Sequence, residues 1–149
     1  MTSAAIAVAS DHAGFPLKSD LAEFLRDKGF EVVDLGTDGS ESVDYPDFAF
    51  EMARALKDGR VARGVLVCGT GLGISIAANR YPWVRAALCH DVTTARLCRE
   101  HNDANVIALG GRLIGVELAR DCVETFLATE FGGDRHARRV GKMTNPPEL

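Results

Sequence analysis

The chain has 149 residues, 46% of them hydrophobic, and a net charge of −4, which describes one globular domain able to bury about 70% of its unfolded surface without disulfide staples. That charge argues against a generic nucleic-acid binder. The longest weakly charged stretch, Gly64 to Asn79, is broken by glycines and shorter than the roughly 20 residues of a membrane span, so no membrane partner is expected.

Taken in chain order, strand and helix patterns alternate, with no repeat, low-complexity tract or dividing linker. Ala4 to Ala9 reads as a first strand. A helix over Pro16 to Lys28 follows, with Leu17, Leu21, Phe24 and Leu25 on one face and Gly29 closing it. Phe30 to Leu35 is a second strand, Gly36 to Asp44 a turn-rich loop, and Tyr45 to Lys57 a helix striped by Phe48, Met52 and Leu56. Gly64 to Cys68 is a third strand with its helix over Gly71 to Asn79. Val84 to Cys89 is a fourth, leading to a short helix over Thr93 to Glu100. Val106 to Leu109 is a fifth, followed by a long helix over Val116 to Ala128. A basic segment, Arg135 to Met143, reads as a last helix. Strands joined by helices require right-handed crossovers and a parallel sheet covered on both faces. The expected fold class is α/β, a Rossmann-like three-layer α/β/α sandwich with a mainly parallel sheet of about five strands.

Four cysteines, Cys68, Cys89, Cys98 and Cys122, form no CxxC pair and no zinc spacing, and three lie inside expected strands or helices. That implies a reducing, cytoplasmic setting. The opening residues lack a basic segment and meet Asp11 and His12 after a short apolar run, so no signal peptide is expected.

The most informative stretch is Val65 to Arg80, VLVCGTGLGISIAANR. An apolar strand ends in Cys68, three glycines follow at alternate positions (Gly69, Gly71, Gly73), and a small-residue helix begins. Such a loop lets backbone N–H groups converge without Cβ obstruction, and the helix N-terminus adds partial positive charge. It is built to hold an anion. The G-x-G-x-x-G dinucleotide fingerprint fails, because its last glycine would fall on Ile74 or Ile76, although Asp91 stands about 20 residues on, where a ribose-binding acid is expected. A P-loop is excluded, since no Gly-Lys-Ser/Thr follows. Near a helix N-terminus a thiolate is favoured, which makes Cys68 a candidate base or nucleophile rather than a buried strand cap.

Ligand sites of open α/β sheets form at the carboxyl ends of strands. Those ends carry Ser10, Asp11 and His12; Cys68 and its loop; His90 and Asp91; and Gly110, Gly111 and Arg112. Singly, Asp11 reads as a helix cap, His12 as a loop residue and Arg112 as a solvated charge. Jointly, on one edge with an anion loop, they point to a sugar or phosphate pocket. A second cluster runs from Arg99 to Asn105, where His101 is a candidate proton carrier and Asn102 offers both donor and acceptor. The competing reading makes both residues helix C-cap partners.

ASDHAGF at 9–15, DYP at 44–46, CGTGLGISIAAN at 68–79, REHNDANV at 99–106, LGGR at 109–112 and RHARRV at 135–140 together resemble type B ribose-5-phosphate isomerases. That family also contains galactose-6-phosphate isomerase subunits and allose-6-phosphate isomerases, and the likeness covers essentially the whole chain. It implies interconversion of ribose 5-phosphate and ribulose 5-phosphate in the pentose phosphate pathway. A homodimer or dimer of dimers with interfacial active sites is implied, with no metal or organic cofactor.

The resemblance also implies roles. Cys68 would be the base, as expected of the branch that carries this cysteine and an apolar residue, here Ile74, where other members have a glutamate. Amides of Gly69, Gly71, Leu72 and Gly73, with Asn102, would meet the charge on the enediolate, one good donor being worth roughly 3 kcal/mol. Thr70 would orient near the same oxygens, and His101 would open the sugar ring from the partner subunit. Asp11 and Tyr45 would hold hydroxyls; His12, Arg112, Arg135 and Arg139 would grip the phosphate, the last two from a basic helix over about 134–143 packed on the partner. Cys89, Cys98 and Cys122 read as core residues, and neither His136 nor Arg138 is given a contact. Two alternatives stand beside this reading: an isomerase of a 6-phosphohexose, and a non-catalytic nucleotide-binding module.

Overall fold

The computed structural model describes residues 5–149, so the expected first position of the opening strand, Ala4, lies outside the described residues, as does the start of the segment on which the signal-peptide expectation rests. The elements are β1 (Ile6–Ser10), α1 (Phe15–Asp27), β2 (Val32–Asp34), α2 (Tyr45–Lys57), β3 (Arg63–Cys68), α3 (Leu72–Ala78), β4 (Ala86–Leu88), α4 (Val92–Glu100), β5 (Val106–Gly110), α5 (Val116–Ala128) and α6 (Arg135–Thr144). The sheet runs β2-β1-β3-β5-β4 and every pairing is parallel. The fold is the expected α/β sandwich.

β2 and β4 are shorter than the expected Phe30–Leu35 and Val84–Cys89, at three residues each. Both are edges, and an edge strand is held by a ladder on one side only. On the outer side of β4, the Asn79 side chain closes part of the open edge: its amide donates to Ala86 O at 2.9 Å and its Oδ1 accepts from Ala86 N–H at 2.8 Å.

Strand alternation divides the interior into two layers. Ile6, Val8, Val65, Val67, Ile107 and Leu109 face one side and pack with Leu21 and Leu25 of α1 and Val123 and Phe126 of α5. Ala7, Ala9, Leu66, Cys68, Val106 and Ala108 face the other, under α2 and α3. The second face is built of smaller residues, so its helices approach closely; a Cβ on Gly64 would lie 2.3 Å from Met52 Sδ. Burying one large aliphatic or aromatic side chain in such a layer contributes about 1.5–3 kcal/mol.

The chain leaves β1 for β2 on one side, and then crosses to β3 on the other. The carboxyl ends of β1 and β3 therefore flank the point where strand order reverses, the place where open α/β sheets form a crevice. Asp11 and His12 follow one of these strands, and Cys68 ends the other.

Candidate active site

Close approaches bring four sequence-distant segments together. Gly14 lets the start of α1 press on β3, since a Cβ there would lie 2.4 Å from Val67 O. That seats Asp11 and His12 beside the end of β3, where Asp11 N–H donates to Val67 O at 3.3 Å. After β5, Gly111 N–H donates to Cys68 O at 2.8 Å and Arg112 N–H to Gly69 O at 3.0 Å. A Cβ on Gly69 would sit 3.2 Å from Arg112 Nη1, so the guanidinium lies over the loop. Tyr45, the first residue of α2, crosses Gly73 so closely that a Cβ there would be 2.5 Å from its ring.

The result is a pocket of about 320 Å³ lined by Asp11, His12, Ala13, Tyr45, Cys68, Gly69, Thr70, Gly73 and Arg112. Of its lining residues, Cys68 Sγ accepts from Gly71 N–H at 3.2 Å and Thr70 Oγ1 from Leu72 N–H at 3.1 Å. Those two amides are therefore engaged inside the loop, and neither Gly71 nor Leu72 lines the pocket. Gly71 adopts φ +79°, a left-handed conformation at which any side chain would also strike Leu88 and the backbone of Leu109. Asp11 is buried, and its Oδ1 accepts from Gly14 N–H at 2.9 Å; Gly14 is itself the N-cap of α1, which has no side-chain cap, so Asp11 braces the turn before the helix rather than capping it. His12 Nδ1 accepts from Val43 N–H at 3.2 Å.

His101, Asn102, Arg135 and Arg139 do not line this pocket. His101 is the C-cap of α4, its N–H donating to Leu97 O at 2.8 Å, and its ring stacks on His136 at 4.5 Å between centroids. His136 is held below the ordinary imidazole range, first by partial desolvation and then by the positive charges of Arg135, His101 and Arg139. Asn102 lines a separate cavity of about 340 Å³ with Asn79, Tyr81, Arg85 and Met143. Arg99 ties the corner between these two groups, bonding Asp103 Oδ1 at 2.9 Å and Ala104 O at 2.7 Å.

Asp91 is the N-cap of α4, where bonds from Thr94 hold its carboxyl below the usual range. It is spent as a cap rather than offered to a ribose. Cys89, Cys98 and Cys122 are buried in the α1/α5 layer, as expected of core residues. Burial pushes the Cys122 thiol up to about 11. Ile74, also fully buried, belongs to the layer under α2 and α3.

Sequence reasoning missed Ala13, which sits inside a motif it singled out, and Val43, whose contribution is a backbone N–H that no residue type advertises. Among the described residues, no group of three or more His, Cys, Asp and Glu side chains is placed to hold a metal ion. No helix among them is long and apolar enough to cross a membrane.

A family model described as Ribose/Galactose Isomerase matches residues 6–143. The chain is 46% identical over 139 residues to ribose-5-phosphate isomerase B of Escherichia coli, covering 93% of each chain. It is 44% identical to D-erythrulose-4-phosphate isomerase of Pectobacterium atrosepticum, over 93% of this chain and 91% of the relative. Ribose-5-phosphate isomerase B of Clostridium thermocellum superposes with a TM-score of 0.93 at 56% identity, covering 94% of this chain and 95% of that one. With the Cys68 pocket assembled on the same parallel sheet, the chain belongs to the ribose/galactose isomerase family.

Proposed function

We propose that this chain interconverts ribose 5-phosphate and ribulose 5-phosphate. The observation that carries the reading is Cys68 Sγ, set in the pocket with Asp11, His12 and Arg112 while accepting the Gly71 N–H. That bond supports negative charge on sulfur. The thiolate removes the C2 proton of the open-chain aldose, giving a cis-enediolate across C1 and C2. Thr70, with the loop amides Gly69 and Gly73, faces its oxygens. The O2 hydroxyl proton passes to O1, and delivery of the proton from Cys68 to C1 leaves C2 as a carbonyl and completes the ketose. Asp11 and Tyr45 hold hydroxyls, and His12 and Arg112 take the phosphate.

The working unit in this reading is a homodimer or dimer of dimers. A partner subunit supplies His101 to move protons between the O1 hydroxyl and the ring oxygen, Asn102 to meet the enediolate, and Arg135 and Arg139 to close on the phosphate. Three observations favour it. Those four residues gather away from the Cys68 pocket of their own chain. On α6, Val140 is the one buried residue, which leaves the helix free to dock. Leu72 and Ile76 stand 52% and 63% exposed one turn apart on α3, next to the pocket loop. A catalytic free thiol suits a reducing compartment, and we place the protein in the cytoplasm and in the pentose phosphate pathway.

The test is isomerisation of ribose 5-phosphate by the purified chain in EDTA beside Cys68→Ala, with allose 6-phosphate and D-erythrulose 4-phosphate as competing substrates. Turnover of the pentose phosphate by the wild type and its loss in the variant are expected. Inactivity on ribose 5-phosphate would overturn the reading, and preference for another sugar would reassign the substrate. The similarity to ribose-5-phosphate isomerases does not favour the 6-phosphohexose, and the capping role of Asp91 does not favour a nucleotide.

A further inference from the structure

Lys18 is a buried cation that the reaction does not use. Its side chain is 1% exposed on the inner face of α1. Nζ donates to Asp34 Oδ1 at 2.8 Å, Asp34 Oδ2 at 3.0 Å and Thr37 O at 2.8 Å. Asp34 Oδ1 also accepts from Gly36 N–H at 2.9 Å. The ammonium thus gathers the end of β2 and the first residues of the loop that follows. The same residues are stitched to β1, where Ser10 N–H donates to Gly36 O at 2.8 Å and Thr37 N–H to Ser10 O at 2.9 Å. From this anchor the loop runs out to Val43, whose N–H meets His12 Nδ1.

A backbone N–H can only donate, so Nδ1 is the acceptor and the proton of the neutral ring sits on Nε2. Nδ1 is spent on Val43, and Nε2–H is the donor left for an anion in the pocket that His12 lines. Burying a charge where an apolar side chain would pack costs stability, and where such groups occur they can select one conformation out of several. Here the conformation selected is that of the 36–44 loop.

We propose that Lys18 is a positioning residue for the sugar-phosphate pocket: its buried ammonium anchors the 36–44 loop so that Val43 N–H fixes His12 as the Nε2–H tautomer. The assignment rests on the proposed isomerase reading for its kinetic consequence, but the tautomer can be read without activity. Lys18→Met keeps the side-chain length and leaves Asp34, which is 34% exposed, to water.

The experiment measures ribose 5-phosphate kinetics and the His12 ring ¹⁵N signature in full-length wild type, Lys18→Met, Val43→Pro and the double variant. Expected in Lys18→Met are a KM raised about tenfold with kcat within about threefold, the pattern of lost ground-state binding, and a His12 signal moved from pure Nε2–H toward a tautomer mixture. Val43→Pro removes the N–H itself, and the double variant is expected to be no worse than the more impaired single one. An unchanged KM with an unchanged His12 signal in Lys18→Met overturns the proposal, as do KM effects that multiply in the double variant. If Lys18→Met fails to fold, Asp34→Asn carries the same two readouts, and a wild-type result there overturns it. Inactivity of the wild type on ribose 5-phosphate sinks the isomerase reading instead. An unchanged His12 signal in Lys18→Met would then still overturn the positioning role.

Discussion

Gly71 N–H donates to Cys68 Sγ at 3.2 Å across the tight turn between β3 and α3. Sulfur and amide are three residues apart and meet because Gly71 occupies φ +79°. Gly71→Ala meets two penalties, left-handed strain of roughly 1–2 kcal/mol and a Cβ 2.5 Å from Leu88 Cδ1 and 2.9 Å from Leu109 C. The expected outcome is a loss of about 2–4 kcal/mol in urea unfolding, combining that strain with overpacking. Activity should fall further than the folded fraction accounts for.

Subunit mixing separates a shared site from a self-contained one. Cys68→Ala and His101→Ala proteins, each inactive alone, are expected to recover about one quarter of wild-type activity after subunit exchange at equal concentrations, because half the dimers are mixed and each of those has one intact site. No recovery, with exchange verified by mass spectrometry, would place His101 outside the partner's site.

The His101–His136 stack gives a pH prediction. His136 binds its proton less well folded than unfolded, so the stability it contributes is present above the ordinary imidazole value of about 6.5 and falls away as pH drops through the lower folded value. Proton-detected titration of the ring should give a midpoint below that of a free imidazole. Arg135→Ala or Arg139→Ala should raise the midpoint by removing nearby positive charge, and saturating inorganic phosphate should raise it in the wild type. A midpoint unmoved by all three would remove the arginines from the neighbourhood of that ring.

Alkylation should distinguish the thiols. Cys122 is fully buried with its thiol pushed up to about 11, Cys98 is buried and pushed up as well, and Cys89, whose bond to Cys98 at 4.0 Å holds it below the usual thiol range, is shielded by burial. Only Cys68 opens on the pocket. Native iodoacetamide treatment followed by mass spectrometry should label Cys68 first, with ribose 5-phosphate slowing it, and the other three only after unfolding. Early labelling of Cys122 would contradict the packing described.

The order of strands and helices, the α/β layering and the segments that carry the chemistry are all legible in the residue pattern. Those features are local: strand periodicity, helix stripes and glycine spacing act over a few residues, and α2 and α5 span Tyr45–Lys57 and Val116–Ala128 in both readings. The shortness of β2 and β4 was beyond it, because being an edge depends on the strand order β2-β1-β3-β5-β4. Which candidates share a pocket likewise depends on contacts between segments far apart in the chain. Asp11, His12, Tyr45, Cys68 and Arg112 converge because Gly14 lets the backbone before α1 press on β3, while Gly69 and Gly73 leave room for the side chains of Arg112 and Tyr45. His101 and Asn102 follow the C-terminal end of α4, and Arg135 and Arg139 stand on α6, whose His136 stacks on His101, so these four lie apart from that pocket. The tautomer of His12 rests on the backbone N–H of a residue 31 positions away, a group that every non-proline residue carries and that only the fold can aim.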